Sequence, residues 1–186
     1  VVTTPLSDNE KKVMLLSANL QVRGGFANEM IRRKAVAELV SCLQAEPYNL
    51  TAAEAKKAIK EATPINGRQI DKDLSIEKNL NEGLKDLLDR GFVLRSEAEN
   101  FLRMTPEEQR IAAQMLQQLY AIAYNGPGSA AIQDEKKAIR GRFVDALRTV
   151  ADTSSMQDAH EALVAAVFTV QKEMACLKET IRKVKT

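Results

Sequence analysis

Residues 156–184 read MQDAHEALVAAVFTVQKEMACLKETIRKV, and this stretch contains neither proline nor glycine. Apolar residues and one histidine recur in it at alternating steps of four and three, the heptad pattern of one face of an α-helix. These heptad positions are Met156, His160, Leu163, Val167, Val170, Met174, Leu177, Ile181 and Val184. At 1.5 Å per residue the helix would be about 43 Å long. The stretch therefore predicts a helix that organises a bundle or offers a surface to a partner.

The composition of the chain favours packed helices. Its 186 residues are 45% hydrophobic and 28% charged, but only 4% are aromatic and tryptophan is absent. A core built from Leu, Ile, Val, Met and Ala suits interdigitating helices, whereas sheets favour β-branched and aromatic residues. The net charge of +2 is too small to indicate a nucleic-acid or membrane ligand.

Helix starts and stops divide the whole chain. Four pairs of a hydroxyl residue and a glutamate three residues later predict capping boxes. The pairs are Ser7 with Glu10, Thr51 with Glu54, Ser96 with Glu99, and Thr105 with Glu108. Ser154 with Gln157 gives a weaker fifth start, and proline and glycine mark the stops. The pattern predicts helices at 8–23, 27–45, 52–62, 76–90, 97–103, 106–124, 130–151 and 156–184.

No stretch alternates apolar and polar residues long enough to predict a strand. The expected fold is therefore all-α, a multi-helix bundle with long antiparallel C-terminal helices. Short loops join the last three helices, so we expect 105–186 to form three long antiparallel helices. The shorter helices of 1–104 should pack against them, giving one compact domain overall.

Few residues suggest chemistry. Residues 71–82 place oxygen-bearing side chains at five of the positions of a calcium-binding loop, but Ile76 stands where the loop needs glycine. His160 is the only histidine, and we expect it to be partly buried within the heptad face. Cys42 and Cys176 are expected to be reduced thiols, which favours a cytoplasmic compartment. We expect no catalytic residue, no metal and no cofactor, and the sequence favours a non-enzymatic protein.

One short segment carries a resemblance. Residues 145–150 read DALRTV and resemble the arginine-finger segment of bacterial effectors that act as GTPase-activating proteins for Rho-type GTPases. Those effectors are also small all-helical modules, and their finger follows a Gly-x-Leu-Arg pattern; here Asp145 stands in place of the glycine. The resemblance covers six residues and implies an alternative function, a bacterial effector domain that directs Arg148 at the transferring phosphoryl group of a host GTPase.

Basic clusters suggest another alternative, binding of nucleic acid through basic helix faces. They occur at 32–34, 56–60, 136–142 and 178–185. Acidic residues lie one helical turn away from most of them, which is typical of salt-bridged faces in solvent. Without an aromatic stacking platform, we do not expect nucleic acid to be the partner.

We expect the partner-binding surface near the C-terminus. Beyond Val170 the residues beside the heptad positions are polar, which leaves a narrow apolar strip of Met174, Leu177, Ile181 and Val184. Such a strip is typical of a coiled-coil or helix-in-groove contact. The alternative, that the strip packs against the first hundred residues of its own chain, stays open.

The sequence thus favours a helical module that binds another protein by helix packing, as an adaptor, regulator, chaperone-like factor or effector domain. Self-association through the same strip is a variant of this hypothesis. The chain begins at Val1 rather than at methionine, so we expect a fragment of a larger protein. No stretch approaches about 18 uninterrupted apolar residues, so we expect a soluble chain without membrane insertion.

Overall fold

The computed structural model describes residues 5–22, 29–124 and 130–184, with the backbone alone at 122–124, 130, 131 and 184. The described part of the chain contains nine α-helices and no strand, which confirms the all-α prediction. The helices are α1 (Asp8–Val22), α2 (Glu29–Gln44), α3 (Ala52–Ala62), α4 (Gly67–Asn79), α5 (Glu82–Asp89), α6 (Arg95–Phe101), α7 (Pro106–Tyr124), α8 (Ala130–Asp152) and α9 (Met156–Val184).

Three of the predicted capping boxes are confirmed, at Ser7, Thr51 and Thr105. The backbone N–H of Thr105 donates to the Glu108 carboxylate at 2.7 Å, and the N–H of Glu108 donates to the Thr105 hydroxyl at 3.3 Å. At Thr51 the hydroxyl and the backbone N–H both donate to Glu54, and these bonds hold the pKa of that carboxyl below its usual value. Local hydrogen bonds therefore fix these helix starts as the sequence predicts.

The remaining two predicted starts were wrong by one or two residues. In α6 the Glu97 carboxylate accepts from the backbone N–H of Leu94 at 2.8 Å, so the helix begins before Ser96. In α9 the Ser155 hydroxyl, and not that of Ser154, accepts from the backbone N–H of Asp158 at 3.4 Å. Consecutive hydroxyl or acidic residues offer several equivalent local pairings, and packing of the helix selects one.

The segment 63–75, predicted to be a connector, is largely helical. The Asn66 side chain accepts from the backbone N–H of Gln69 at 2.8 Å and begins α4. The Asn81 side chain likewise accepts from the backbone N–H of Gly83 at 2.9 Å and begins α5. Asparagine is a strong N-cap residue, whereas the prediction rested only on the neighbouring proline and glycine. The predicted helix 76–90 is therefore the end of α4 followed by α5.

The chain divides into two compact units, Val1–Asn79 and Leu80–Thr186. In the first unit α2 packs against α1, α3 and α4. Its buried core consists of Leu20, Ala35, Val36, Leu39, Val40, Leu43, Ala55, Ile59, Ile65 and Ile70. The helices α5 and α6 belong to the second unit. The predicted division of the chain into 1–104 and 105–186 stays a prediction.

In the second unit α5 packs on α7, α6 on α8, and α7, α8 and α9 on one another. The helices α8 and α9 run antiparallel. Arg142 contacts Glu173, while Ile132, ten residues earlier on α8, shares a groove with Leu177, later on α9. The core of this unit is apolar and includes Leu84, Leu87, Phe101, Leu116, Leu119, Ile139, Phe143, Leu147, Leu163 and Val170.

Replacing Thr105 by alanine should lower the free energy of unfolding by about 1 kcal/mol, because the first turn of α7 loses its side-chain acceptor. Chemical denaturation of both proteins measures the difference. A change near zero would show that the Thr105 hydroxyl does not stabilise the start of α7.

Two helical glycines provide a matched pair of substitutions. Gly141 lies inside α8, and a Cβ added there meets no atom within 4 Å, so Gly141→Ala should stabilise the protein by about 0.5–1 kcal/mol. A Cβ on Gly83 would lie 3.1 Å from the Ala113 Cβ and 2.8 Å from the Gln117 Nε2 atom. Gly83→Ala should therefore bring no such gain. Equal stabilisation in denaturant titrations would contradict the close approach of α5 and α7.

Candidate functional site

The long helix α9 packs against α7 and α8 in the second unit. Its buried face consists of Ala159, Leu163, Ala166, Val170, Met174 and Leu177. In the first half of the helix this face differs from the predicted heptad face. Ala159 and Ala166 are buried where the pattern placed His160 and Val167, which are exposed and half-buried. The expectation that His160 lies partly buried was therefore wrong.

Small side chains explain the difference. A shallow cleft between α8 and α9 is lined by Phe143 and Ala146 on α8 and by Ala162, Ala165 and Ala166 on α9. Alanine at a helix contact permits a close approach. Ala159 and Ala166 are buried, whereas the bulkier His160 and Val167, one position later, are more exposed.

The four residues of the predicted partner-binding strip lie in the second half of α9. Met174 is 3% exposed and Leu177 is 4% exposed, so the chain's own fold covers both. Ile181 is partly exposed, and the side chain of Val184 lies outside the described residues. Partner binding by this strip stays a prediction. The burial of Met174 and Leu177 places them among the core residues of the second unit.

The exposed apolar residues of α9 lie in its first half instead. Phe168 is 70% exposed, Val164 54% and Met156 78%. His160, Glu161, Val164, Ala165 and Phe168 line one shallow depression of about 490 Å³. We call these five residues the outer face of α9. The outer face could have been predicted from the sequence, because His160, Val164 and Phe168 recur at i, i+4 and i+8. The heptad interpretation missed it, because it assigned His160 and Val167 to the buried face.

Phe168 also borders a groove of about 660 Å³ between α8 and α9. Ile132 and Leu177 form apolar parts of its lining. The Arg142 guanidinium of α8 donates across the groove to Glu173 of α9 at 3.0 Å. It also donates to Glu135 of its own helix at 3.3 Å. These hydrogen bonds, chiefly that to Glu173, raise the pKa of Arg142 above its usual value. Phe168 therefore lies where an apolar depression meets a groove with charged edges.

The proposed arginine finger lies elsewhere on the second unit. Arg148 is exposed and lines a cleft of about 400 Å³ between α6 and α8. Glu97, Glu99 and Asp145 line the same cleft together with Arg103, so its lining carries charges of both signs. Arg140 donates to Glu97 at 2.5 Å, which neutralises part of the acidic charge. The arginine-finger role of Arg148 stays a prediction.

Several basic clusters are engaged in ion pairs. The guanidinium of Arg32 contacts Asp73 at 3.1 Å, and Arg33, which is 1% exposed, pairs with Glu77. Such residues hold α2 on α4 and are not available to a ligand. Binding of nucleic acid through the remaining exposed basic residues stays an untested alternative.

In the described part of the chain, no three His, Cys, Asp or Glu residues gather where they could hold a metal ion. Residues 71–79 lie within α4, so the segment that resembles a calcium loop does not form a loop there. Cys42 is buried and Cys176 exposed, and both are free thiols. Among the described helices, none is long and apolar enough to cross a membrane.

Comparison with models of protein families, with curated proteins and with solved structures finds no match for this chain.

The two sides of α9 should respond differently to charge. Leu177→Asp should lower the free energy of unfolding by about 3 kcal/mol or more, because it buries an unpaired carboxylate. Phe168→Asp should cost less than about 1 kcal/mol, because position 168 faces solvent. Urea titrations followed by circular dichroism measure both changes. Equal destabilisation would mean that Phe168 belongs to the core and that no outer face exists.

Proposed function

We propose that this chain is a helical protein-binding module and that the outer face of α9 is its docking surface. The single observation that carries the proposal is the 70% exposure of Phe168 at the middle of a helix whose opposite face is buried. Phenylalanine is among the residues enriched at protein interfaces, where burial of a large aromatic ring contributes much of the binding energy.

The form of the surface favours a helical partner. Val164 and Phe168 are four residues apart and form part of an i±4 row, the ridge that packs into the groove of another helix. Ala165 beside them leaves room for a partner's side chain. An amphipathic helix recognises such a surface through apolar residues at i, i+4 and i+7 spacing. The occupant that we propose is therefore the apolar face of one amphipathic helix.

A different set of exposed apolar residues is less suited to docking. In the first unit Met14 is 59% exposed and Leu15 63% exposed. Met14 and Leu15 are adjacent on α1 and project about 100° apart, whereas Leu15 and Val22, which is 85% exposed, share one face of the helix. None of the three carries an aromatic ring, whose burial contributes much of the binding energy at an interface.

Site-specific photo-crosslinking tests the proposal. A photoreactive phenylalanine analogue replaces Phe168 in cells that naturally make the protein, and the same analogue replaces Gln118, an exposed polar residue of α7, as a control. We expect a discrete crosslink from position 168 to the apolar face of a helix and none from position 118. The additional substitution Val164→Ser should remove the crosslink while the melting curve stays unchanged.

Crosslinks of equal yield from both positions, or a crosslink that survives Val164→Ser, would contradict the proposal. Either result would show that contact at position 168 reflects random collision and not docking on the outer face.

A further inference from the structure

Two charged residues flank the centre of the outer face. Glu161 lies before Val164 on α9, and Lys172 lies after Phe168; both are exposed. Neither forms an ion pair with any residue in the described ranges. Nearby on the same helix, Glu173 pairs with Arg142 at 3.0 Å and Lys183 pairs with Glu179 at 3.8 Å. Glu161 accepts a hydrogen bond from the Gln157 amide at 3.4 Å. An acid and a base without an ion pair in the described ranges therefore border the exposed apolar residues at opposite ends.

These residues form a single stripe. With 3.6 residues per turn, positions 161, 164, 168 and 172 project within a sector of about 80° around the helix. The order along the stripe is acid, apolar, apolar, base. The distance from the first position to the last is about 16 Å along the axis, or three turns, which is long enough for contact with another helix.

The stripe is complementary to itself when it is reversed. In a two-fold symmetric pair of antiparallel helices, residue i of one copy faces residue j of the other, with i + j constant. An axis midway between residues 164 and 168 places Val164 against Phe168 of the second copy. The same axis places Glu161 opposite Gln171 of the second copy, one residue from its Lys172 and within reach of that long side chain, and the symmetry repeats both contacts. A valine opposite a phenylalanine also pairs a small side chain with a large one.

A parallel arrangement lacks this complementarity. It would place Phe168 on Phe168, Glu161 on Glu161 and Lys172 on Lys172 of the second copy. Like charges at such positions repel each other and disfavour the pairing.

We propose that the outer face of α9 binds the same face of a second copy of this chain, antiparallel, about an axis between Val164 and Phe168. This inference rests on the proposed function, since it uses the same surface, and it identifies the amphipathic helix that docks there. At 70% exposure, Phe168 contributes roughly 140 Å² of the roughly 200 Å² that a phenylalanine can bury. The apolar centre is thus well below the roughly 800 Å² per partner of a standard interface, so the dimer forms reversibly and only at micromolar or higher concentration.

Sedimentation equilibrium of the 186-residue chain tests the proposal, at protein concentrations from about 1 µM to about 1 mM. The wild type should show a monomer–dimer equilibrium. Phe168→Ser and Val164→Ser should each weaken it at least about tenfold, and circular dichroism confirms that both variants are folded. Lys172→Glu should also weaken the dimer, because it sets two acids near each other.

The double variant Glu161→Lys with Lys172→Glu provides the decisive comparison. It exchanges the charges and restores two opposite pairs in the antiparallel arrangement, so dimerisation should return to within about threefold of the wild type. Lys178→Glu, an exposed residue of the same helix outside the stripe, serves as the matched control and should leave the equilibrium unchanged.

A wild type that stays monomeric throughout the concentration range overturns the self-association proposal. The proposed function is tested separately in that case: a crosslink from position 168 to a different protein supports it, and the absence of such a crosslink contradicts it. A dimer that persists in Phe168→Ser, or a double variant that does not recover, also overturns the proposal, because the contact would not use the outer face in antiparallel register.

Discussion

The packing of α8 on the alanine side of α9 determines how the second unit presents its surface. Ala159 and Ala166 lie on the buried side of α9, whereas Val164 and Phe168 are 54% and 70% exposed on the other side. Exposure of Phe168 is thus a consequence of which side of α9 is buried, and we expect the stability of the core not to depend on that ring. This separation of roles makes a docking surface physically reasonable, since a change at 168 need not disturb the fold.

Charged residues have two different roles in this protein. In the first unit Asp73 is fully buried and is satisfied by Arg32 at 3.1 Å and by the Gln69 amide at 2.9 Å. Removing one member of such a set leaves a buried charge without its partner, which is costly. In the second unit Glu161 and Lys172 stay in solvent on the outer face and make no ion pair within the described chain. Charges of the first kind hold helices together, whereas those of the second kind remain available to select a partner and its orientation.

The sequence predicted the ends of many helices correctly for a local reason. A capping box joins residues three positions apart, such as Thr105 and Glu108, and both partners are visible in the same short segment. The helices at 52–62 and 106–124 accordingly match α3 and α7, and the helix at 156–184 matches α9 although its cap is Ser155 and not Ser154. Where several local pairings compete, as at Ser154 and Ser155, or where an asparagine cap stands beside a proline, as at Asn66, the segment alone does not identify the start.

The sequence by itself determined the helical class, most helix ends and the amphipathic character of α9. Only the tertiary structure decided which side of α9 is buried. Apolar residues at alternating steps of four and three along α9 are compatible with two different buried faces. Both faces contain Leu163 and Val170. One adds His160 and Val167, and the other adds Ala159 and Ala166. Hydrophobicity does not choose between them, because Val167 is more apolar than Ala166 but His160 is more polar than Ala159. The structure takes the second, because the distance to α8 depends on the size of side chains contributed by another helix, and no periodicity within α9 records that distance.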